Sequence, residues 1–132
     1  MDPLLVAVSD LIVKNLTPYY DLLRMPNVKI YGNELVFKCY QNESDLSLTK
    51  VIEVVHVEDQ LLIPTIFTPH ALREKGIGKR LIHDVYVLGK EHGCHTIIVD
   101  MVQSFYHRMI ARGGVPLDFE TILITDETRL ID

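Results

Sequence analysis

The chain has little cysteine, no long apolar segment and no excess of basic charge, and each shortage excludes a class of protein. Its two cysteines, Cys39 and Cys94, are too few for a disulfide framework and form no Cys-x-x-Cys pair for structural zinc. No apolar run approaches the roughly 18 residues of a transmembrane helix. With 13 Lys and Arg against 18 Asp and Glu, the formal net charge is −5, which argues against general nucleic-acid or anionic-membrane binding. We therefore expect a cytoplasmic protein without nucleic-acid or membrane partners.

The 132 residues have the length of one domain, and no linker or internal repeat interrupts them. The apolar N-terminus lacks the positive region of a signal peptide and carries Asp2 and Asp10. We expect a single domain made of a helical segment over residues 1–27, antiparallel strands over 28–68, and a second half over 69–132.

The first half predicts two short helices and two hairpins. Asp2 is placed to cap a helix that begins at Pro3, and Thr17 and Pro18 repeat that signal for a second helix that ends before Pro26. Gly32-Asn33 and Glu58-Asp59 each separate two runs of β-forming residues, which predicts a turn at each pair. Residues 42–47 are polar and predict a loop.

The second half changes to an alternating order of strands and helices. Helical spacing begins at Lys79 and ends at Gly93, which fits a left-handed C-terminal cap. Residues 96–99 predict a buried strand, and residues 102–112 a helix that Gly113 ends. Residues 118–125 predict the last strand. The whole order predicts an α/β (α+β) fold with a mixed, mostly antiparallel central sheet flanked by helices.

The stretch 73–80, sequence REKGIGKR, is a candidate anion site. A glycine-rich turn between a strand and a helix directs unpaired backbone N–H groups and the positive end of the helix dipole at one point. Gly76 and Gly78 leave room for an anion, and the four basic residues add charge. The alternative is that the glycines only make a tight turn and the charges only solvate it.

Two common phosphate motifs do not fit this stretch. A Walker-type loop requires an earlier glycine and a hydroxyl residue after the lysine, and here Arg80 follows Lys79. A dinucleotide fingerprint requires a third glycine where the chain has Leu81.

The stretch resembles the acyl-CoA pyrophosphate loop of the GNAT superfamily of N-acetyltransferases, whose pattern is Gln/Arg-x-x-Gly-x-Gly/Ala. Arg73, Gly76 and Gly78 match that pattern, and Phe105, Tyr106 and Arg108 resemble the family's later Phe-Tyr helix with its basic residue. The resemblance covers residues 61–125, about half of the chain. It implies a GNAT-like fold whose residues 69–132 form the CoA-binding half.

The resemblance also implies roles for individual residues. The chain would transfer an acyl group from acetyl-CoA, its co-substrate, to an amine of a small molecule or peptide by direct attack. Tyr106 would protonate the departing CoA thiolate, Arg108 would lie beside the adenosine phosphates, and the backbone N–H groups of residues 75–80 would hold the pyrophosphate. The predicted cofactor-binding residues are Thr68, Arg73, Lys75, Gly76, Ile77, Gly78, Lys79, Arg80 and Arg108.

The general base of this implied site has no direct counterpart in the sequence. Many family members carry a glutamate on the strand before the loop, but residues 61–68 contain no carboxylate. Asp100 is the preferred candidate, with capping of the following helix as its alternative. An amine that is neutral at working pH would need no base. For Tyr106 the alternative is a core aromatic on an amphipathic helix.

Three functions are then open: an N-acyltransferase, which we favour, a catalytically silent GNAT-fold protein that binds acyl-CoA or a protein partner, and an interaction module whose loop is only a turn.

A metal site could be assembled from neighbouring side chains, namely Glu91, His92, Cys94 and His95. Because Gly93 ends the helix between them, they are not expected to form one coherent set of ligands, and we expect no metal. The chain begins with a helix where the family begins with a strand, so an uncovered sheet edge could pair two copies in a homodimer.

Overall fold

A computed structural model describes residues 1–40, 48–69 and 72–131 of the chain. The loop predicted at 42–47 lies outside these residues. Within them, the helices and strands are α1 (Pro3–Leu16), a 3-10 helix (Thr17–Leu22), β1 (Arg24–Tyr31), β2 (Glu34–Tyr40), β3 (Thr49–Val57), β4 (Gln60–Ile66), α2 (Ile77–Glu91), β5 (His95–Ile98), α3 (Gln103–Ala111), β6 (Val115–Asp118) and β7 (Thr121–Ile124).

The seven strands form one sheet in the order β1-β2-β3-β4-β5-β7-β6. The pairs β1–β2, β2–β3, β3–β4, β5–β7 and β6–β7 are antiparallel, whereas β4–β5 is parallel. Parallel neighbours need a crossover connection, and α2 provides it. The predicted mixed, mostly antiparallel sheet with flanking helices is therefore confirmed, as are the turns at Gly32-Asn33 and Glu58-Asp59.

Helices α1 and α2 pack together against one face of the sheet. Asp2, which caps α1, accepts a hydrogen bond at 2.7 Å from His56 of β3, and a Cβ added at Gly89 of α2 would lie 2.9 Å from Leu61 Cδ1. Leu61 pairs with His56 in the sheet, so both contacts use the same face. The buried core between helices and sheet includes Leu5, Ile12, Phe37, Ile52, Leu61, Ile63, Leu81, Ile82 and Ile98.

The sheet opens between its two parallel strands. Their pairing ends at Ile63 and Ile98, after which the Val99 N–H donates to the Ile63 carbonyl at 3.1 Å. Strand β4 continues through Pro64, Thr65 and Ile66, still paired with β3. Because β5 does not follow it, none of the described strands pairs with the last part of β4 on that side. The opening lies at the carboxyl ends of both strands, where open α/β sheets bind ligands.

Two predictions for the N-terminal segment are wrong. Thr17 does not cap a second helix; its hydroxyl donates to the Val13 carbonyl at 2.6 Å and it ends α1, so the chain continues directly into the 3-10 helix. The helical segment also ends at Leu22, not at residue 27. Strand β1 begins at Arg24, so Pro26 lies inside this strand. A register shift between Arg24 and Asn27 accommodates this proline on an outer strand, where the missing N–H is tolerated.

The end of the chain also differs from the prediction. Residues 118–125 do not form one strand: Asp118 ends β6, Phe119-Glu120 make a turn, and β7 returns beside β5. The apolar run of β7 dominates the sequence pattern, whereas β6 is exposed along its whole length and has no buried alternation to mark it. Helix α2 begins at Ile77, two residues before the predicted start.

Both outer strands carry a proline, Pro26 in β1 and Pro116 in β6, and each has a register shift next to it. Such irregular edges oppose pairing with another sheet. A homodimer formed by edge pairing stays a prediction. Among the described residues, no helix has both the length and the apolar character needed to cross a bilayer.

Gly113 and Gly93 provide a matched test of packing at two helix ends. Both have a positive φ, +94° and +75°, but a Cβ at Gly113 would lie 2.6 Å from the Glu127 carbonyl oxygen, whereas a Cβ at Gly93 would meet nothing within 4 Å. Gly93→Ala should cost about 1 kcal/mol for the left-handed backbone. Gly113→Ala should cost about 1–3 kcal/mol more because it is also crowded. Urea unfolding of both variants measures the difference, and equal losses would contradict it.

Candidate functional site

The N-terminus of α2 presents backbone donors that the helix itself does not use. Gly76 is its N-cap, and no side chain of the described residues accepts a hydrogen bond there. The first intrahelical bond runs from the Arg80 N–H to the Gly76 carbonyl at 3.1 Å. The N–H groups of residues 77–79 precede that bond and point out of the helix end. The Arg80 N–H is already used, so it drops out of the donor set predicted over residues 75–80.

The two glycines of the loop have different roles. Gly76 adopts a φ of +70°, which an L side chain rarely adopts, and space around it is open, so it is needed for backbone conformation. Gly78 lies in the first turn of α2, and a Cβ there would lie 3.1 Å from Thr68 Oγ1. It is needed for the close approach of the helix to the loop that follows β4. The tight-turn interpretation therefore accounts for Gly76 but not for Gly78.

A cleft of about 700 Å³ lies in front of this helix end. The end of β4 and the following loop form one wall, the first turns of α2 form its floor, and α3 forms the opposite wall. Its lining residues are Ile66, Phe67, Thr68, Leu72, Arg73, Glu74, Gly76, Ile77, Gly78, Lys79, Ile82, Val102, Phe105, Arg108, Met109 and Arg112. This volume is within the range of small-molecule and cofactor sites.

The cleft is cationic although the protein is acidic. Four of its charged residues are basic, and Glu74 is the acidic one. Two arginines on opposite walls each lie over a phenylalanine: Arg73 is 5.9 Å from the Phe67 ring and Arg108 is 5.8 Å from the Phe105 ring. These stacking contacts orient the guanidinium groups without neutralising them.

Three of the four basic side chains of the cleft have no ion-pair partner among the described residues. Within residues 1–40, 48–69 and 72–131, no carboxylate lies within salt-bridge distance of Arg73, Lys79 or Arg108. Arg112, the fourth basic residue, is held at the end of α3 because its Nη1 donates to the Arg129 carbonyl at 2.7 Å. The arrangement is suited to a ligand that carries several negative charges.

The structure brings seven of the nine predicted cofactor-binding residues to this cleft. They are Thr68, Arg73, Gly76, Ile77, Gly78, Lys79 and Arg108. Lys75 is exposed and does not line the cleft. Arg80 lines a separate groove of about 650 Å³ between α1 and α2, on the other side of the helix. Successive side chains on a helix are about 100° apart, which explains why Lys79 and Arg80 separate.

Tyr106 lies beside the cleft but outside its lining. The side chains of α3 and its cap that face the cleft are Val102, Phe105, Arg108, Met109 and Arg112. The half-buried Tyr106 ring packs against the core and meets His107 edge-on at a centroid distance of 5.5 Å. The packing contact agrees with the core-aromatic alternative. A catalytic role for its hydroxyl stays a prediction.

Asp100 follows β5 at the mouth of the sheet opening. It is exposed and has a φ of +53°. The cap of α3 is Val102, with no side-chain hydrogen bond, so the alternative that Asp100 caps this helix is wrong. Its role as a base stays a prediction.

Sequence reasoning missed a second carboxylate beside the opening. Glu53 of β3 accepts a hydrogen bond from the Thr65 hydroxyl at 2.8 Å, and Lys50 lies 3.2 Å from the same oxygen. Thr65 belongs to the part of β4 that β5 leaves unpaired. These residues come together only through the register in which β3 and β4 pair, and no sequence pattern specifies that register. Sequence reasoning also missed the stacking of Arg73 on Phe67 and of Arg108 on Phe105. The second contact could have been found, because Phe105 and Arg108 have the spacing of one helix face.

Among the described residues, no group of three or more His, Cys, Asp or Glu side chains is arranged to hold a metal ion.

No protein-family model matches the chain, and no curated protein matches it. Among solved structures, the chain is similar to one described as a "putative acetyltransferase from Agrobacterium tumefaciens". The two share 17% sequence identity over 89% of this chain and 85% of that chain, with a TM-score of 0.42. A similarity at this level carries no argument about this chain's residues or activity.

Proposed function

We propose that the protein is an acetyl-CoA-dependent N-acetyltransferase that transfers an acyl group to an amine. The observation that supports this most directly is the cationic cleft in front of the uncapped N-terminus of α2, beside the opening between β4 and β5. The acceptor would be an amine of a small molecule or a peptide. The proposal also rests on the resemblance of residues 73–78 to the GNAT pyrophosphate loop.

The residues of the cleft fit the chemistry of CoA. The backbone N–H groups of residues 77–79 would bind its pyrophosphate, and Arg73 and Lys79 would add charge. Arg108 would lie beside the adenosine phosphates. The unpaired side of β4 after Ile63 offers backbone groups to the two amides of the pantetheine arm, as a strand edge does to a peptide. When bound, acetyl-CoA would supply the activated acyl group.

Proton transfer would be divided between two sides of the opening. Tyr106 would donate the proton that a departing thiolate needs. Asp100, or Glu53 through the Thr65 hydroxyl, would accept the proton of the attacking amine. Glu53 has the advantage of a fixed hydrogen-bonded position, whereas Asp100 is exposed.

A catalytically silent protein that binds acyl-CoA is the second candidate. It is favoured by the lining of the cleft, in which Glu74 is the one carboxylate among the described residues and lies on the loop before the helix, not on a strand. Binding without transfer to any amine would select this second candidate. Absence of CoA binding would reject both.

Gly78→Glu should weaken CoA binding strongly. The added side chain would press on Thr68 Oγ1 and place a carboxylate where the pyrophosphate is proposed to lie. We expect calorimetric titration with CoA to show binding by the wild-type protein. The variant should bind CoA at least about 100-fold more weakly, because one like-charge contact can cost several kcal/mol. Val87→Glu is the matched control: it adds the same charge to an exposed position of α2 outside the cleft, so its affinity should stay unchanged. Retained affinity in Gly78→Glu would place the ligand elsewhere.

Tyr106→Phe should separate catalysis from packing. Phenylalanine keeps the ring that contacts the core and removes only the hydroxyl, so circular dichroism and CoA affinity should stay near wild type. If the hydroxyl protonates the leaving thiolate, kcat should fall by about 10²-fold or more. His107→Phe, at the neighbouring exposed position, should leave kcat unchanged. Equal losses of binding and kcat in Tyr106→Phe would mean that the tyrosine only packs.

A further inference from the structure

Asp2, His56 and Cys94 form a hydrogen-bonded chain at the end of the sheet opposite the cleft. His56 Nδ1 lies 2.7 Å from Asp2 Oδ2, and His56 Nε2 lies 3.8 Å from Cys94 Sγ. The three residues come from the start of α1, from β3 and from the residue before β5, so the fold alone assembles them. We propose that Cys94 is a nucleophilic thiol that His56 deprotonates and that accepts an acyl group from small thioesters.

Asp2 sets which nitrogen of His56 carries the proton. Its Oδ1 accepts from the backbone N–H groups of Leu4 and Leu5, at 2.9 and 3.1 Å, so the capping interaction fixes the carboxylate in place. Its second oxygen, Oδ2, is an acceptor only, and therefore His56 Nδ1 must donate to it. In the neutral imidazole, Nε2 is then the unprotonated nitrogen, and it faces the thiol. Asp2 is a positioning residue, and His56 is the base.

The surroundings of Cys94 make this base necessary. Burial raises the pKa of the Cys94 thiol, and the Asp59 and Asp2 carboxylates raise it further. The sulfur therefore carries its proton at neutral pH, when a thiol is a poor nucleophile. Removal of that proton by His56 during the attack avoids a thiolate beside two carboxylates.

The reaction balances without an oxidant or a reductant. Cys94 Sγ attacks the carbonyl carbon of the thioester while its proton passes to His56 Nε2. The thioester C–S bond then breaks, the departing thiolate takes the proton from His56, and the products are S-acyl Cys94 and a free thiol. Cys94 is 8% exposed, whereas Cys39 is fully buried, so the chain contains its own unreactive reference thiol.

This site is separate from the cleft. Cys94 precedes β5 and the cleft lies beyond its last residue, Ile98, so about 13 Å of strand lie between them. Its reaction does not depend on CoA binding in the cleft. Gly78→Glu should leave it unchanged, which distinguishes failure of this proposal from failure of the proposed function.

The test is to incubate the intact protein with S-acetyl-N-acetylcysteamine, a thioester without a nucleotide, and to follow acetylation of each cysteine by peptide mass spectrometry. We expect one acetyl group on Cys94 and none on Cys39. His56→Gln should slow the reaction by about tenfold or more, in keeping with general-base catalysis. Acetylation of both cysteines at the same rate, or a His56→Gln rate equal to wild type, would overturn the proposal.

Asp2→Asn provides the sharpest variant because asparagine is as good an N-cap as aspartate. Its oxygen would keep the bonds to Leu4 and Leu5, and its NH₂ group would face His56 Nδ1, so the proton of the ring would move to Nε2, towards the thiol. We expect slow acetylation with an unchanged circular dichroism spectrum. In His56→Gln and Asp2→Asn the rate should rise only at the high pH where the Cys94 thiol, whose pKa is raised, ionises by itself, whereas the wild-type reaction should not need that ionisation. A wild-type pH profile in Asp2→Asn would overturn the role of Asp2.

Discussion

The left-handed turn at Gly76 is the constraint on which the candidate site depends. Its φ of +70° ends the loop after β4 and starts α2, whose first N–H groups are not capped by any side chain of the described residues. From there α2 crosses back to place β5 parallel to β4, and these two strands separate after Ile63 and Ile98. The uncapped helix end and the opening in the sheet are thus two results of one connection.

Two arginine side chains of the cleft are held in place by aromatic rings and not by any carboxylate of the described residues, so their positive charge is available to a ligand. Arg73 and Arg108 lie on phenylalanine rings and, within the described part of the chain, make no ion pair. Two lysines outside the cleft, by contrast, lie in ion pairs: Lys50 is 3.2 Å from Glu53, and Lys90 is 2.6 Å from Asp126 on the surface of α2. The difference matters because the net charge of −5 would not by itself attract an anionic ligand. The local field of the cleft opposes that of the protein as a whole.

The sequence predicted what short patterns encode and missed what strand register decides. Asp2 with Pro3, Gly32-Asn33 and Gly93 are local signals, and the cap, the turn and the helix end they predict are present. Thr17 and Pro18 give the same local signal as Asp2 and Pro3, but α1 continues to Leu16 and uses the Thr17 hydroxyl for its own last turn. The pairs Glu53–Thr65 and His56–Cys94 join residues 12 and 38 positions apart, and no spacing rule links them.

The central claim is that the N-terminus of α2 binds the pyrophosphate of CoA. The most direct measurement is the ¹H–¹⁵N spectrum of the labelled protein during titration with CoA. The account predicts that the amide signals of Ile77, Gly78 and Lys79 shift most and that those of the α1–α2 groove, such as Asn15 and His83, stay in place. Shifts confined to that groove, or no shifts at saturating CoA, would contradict it.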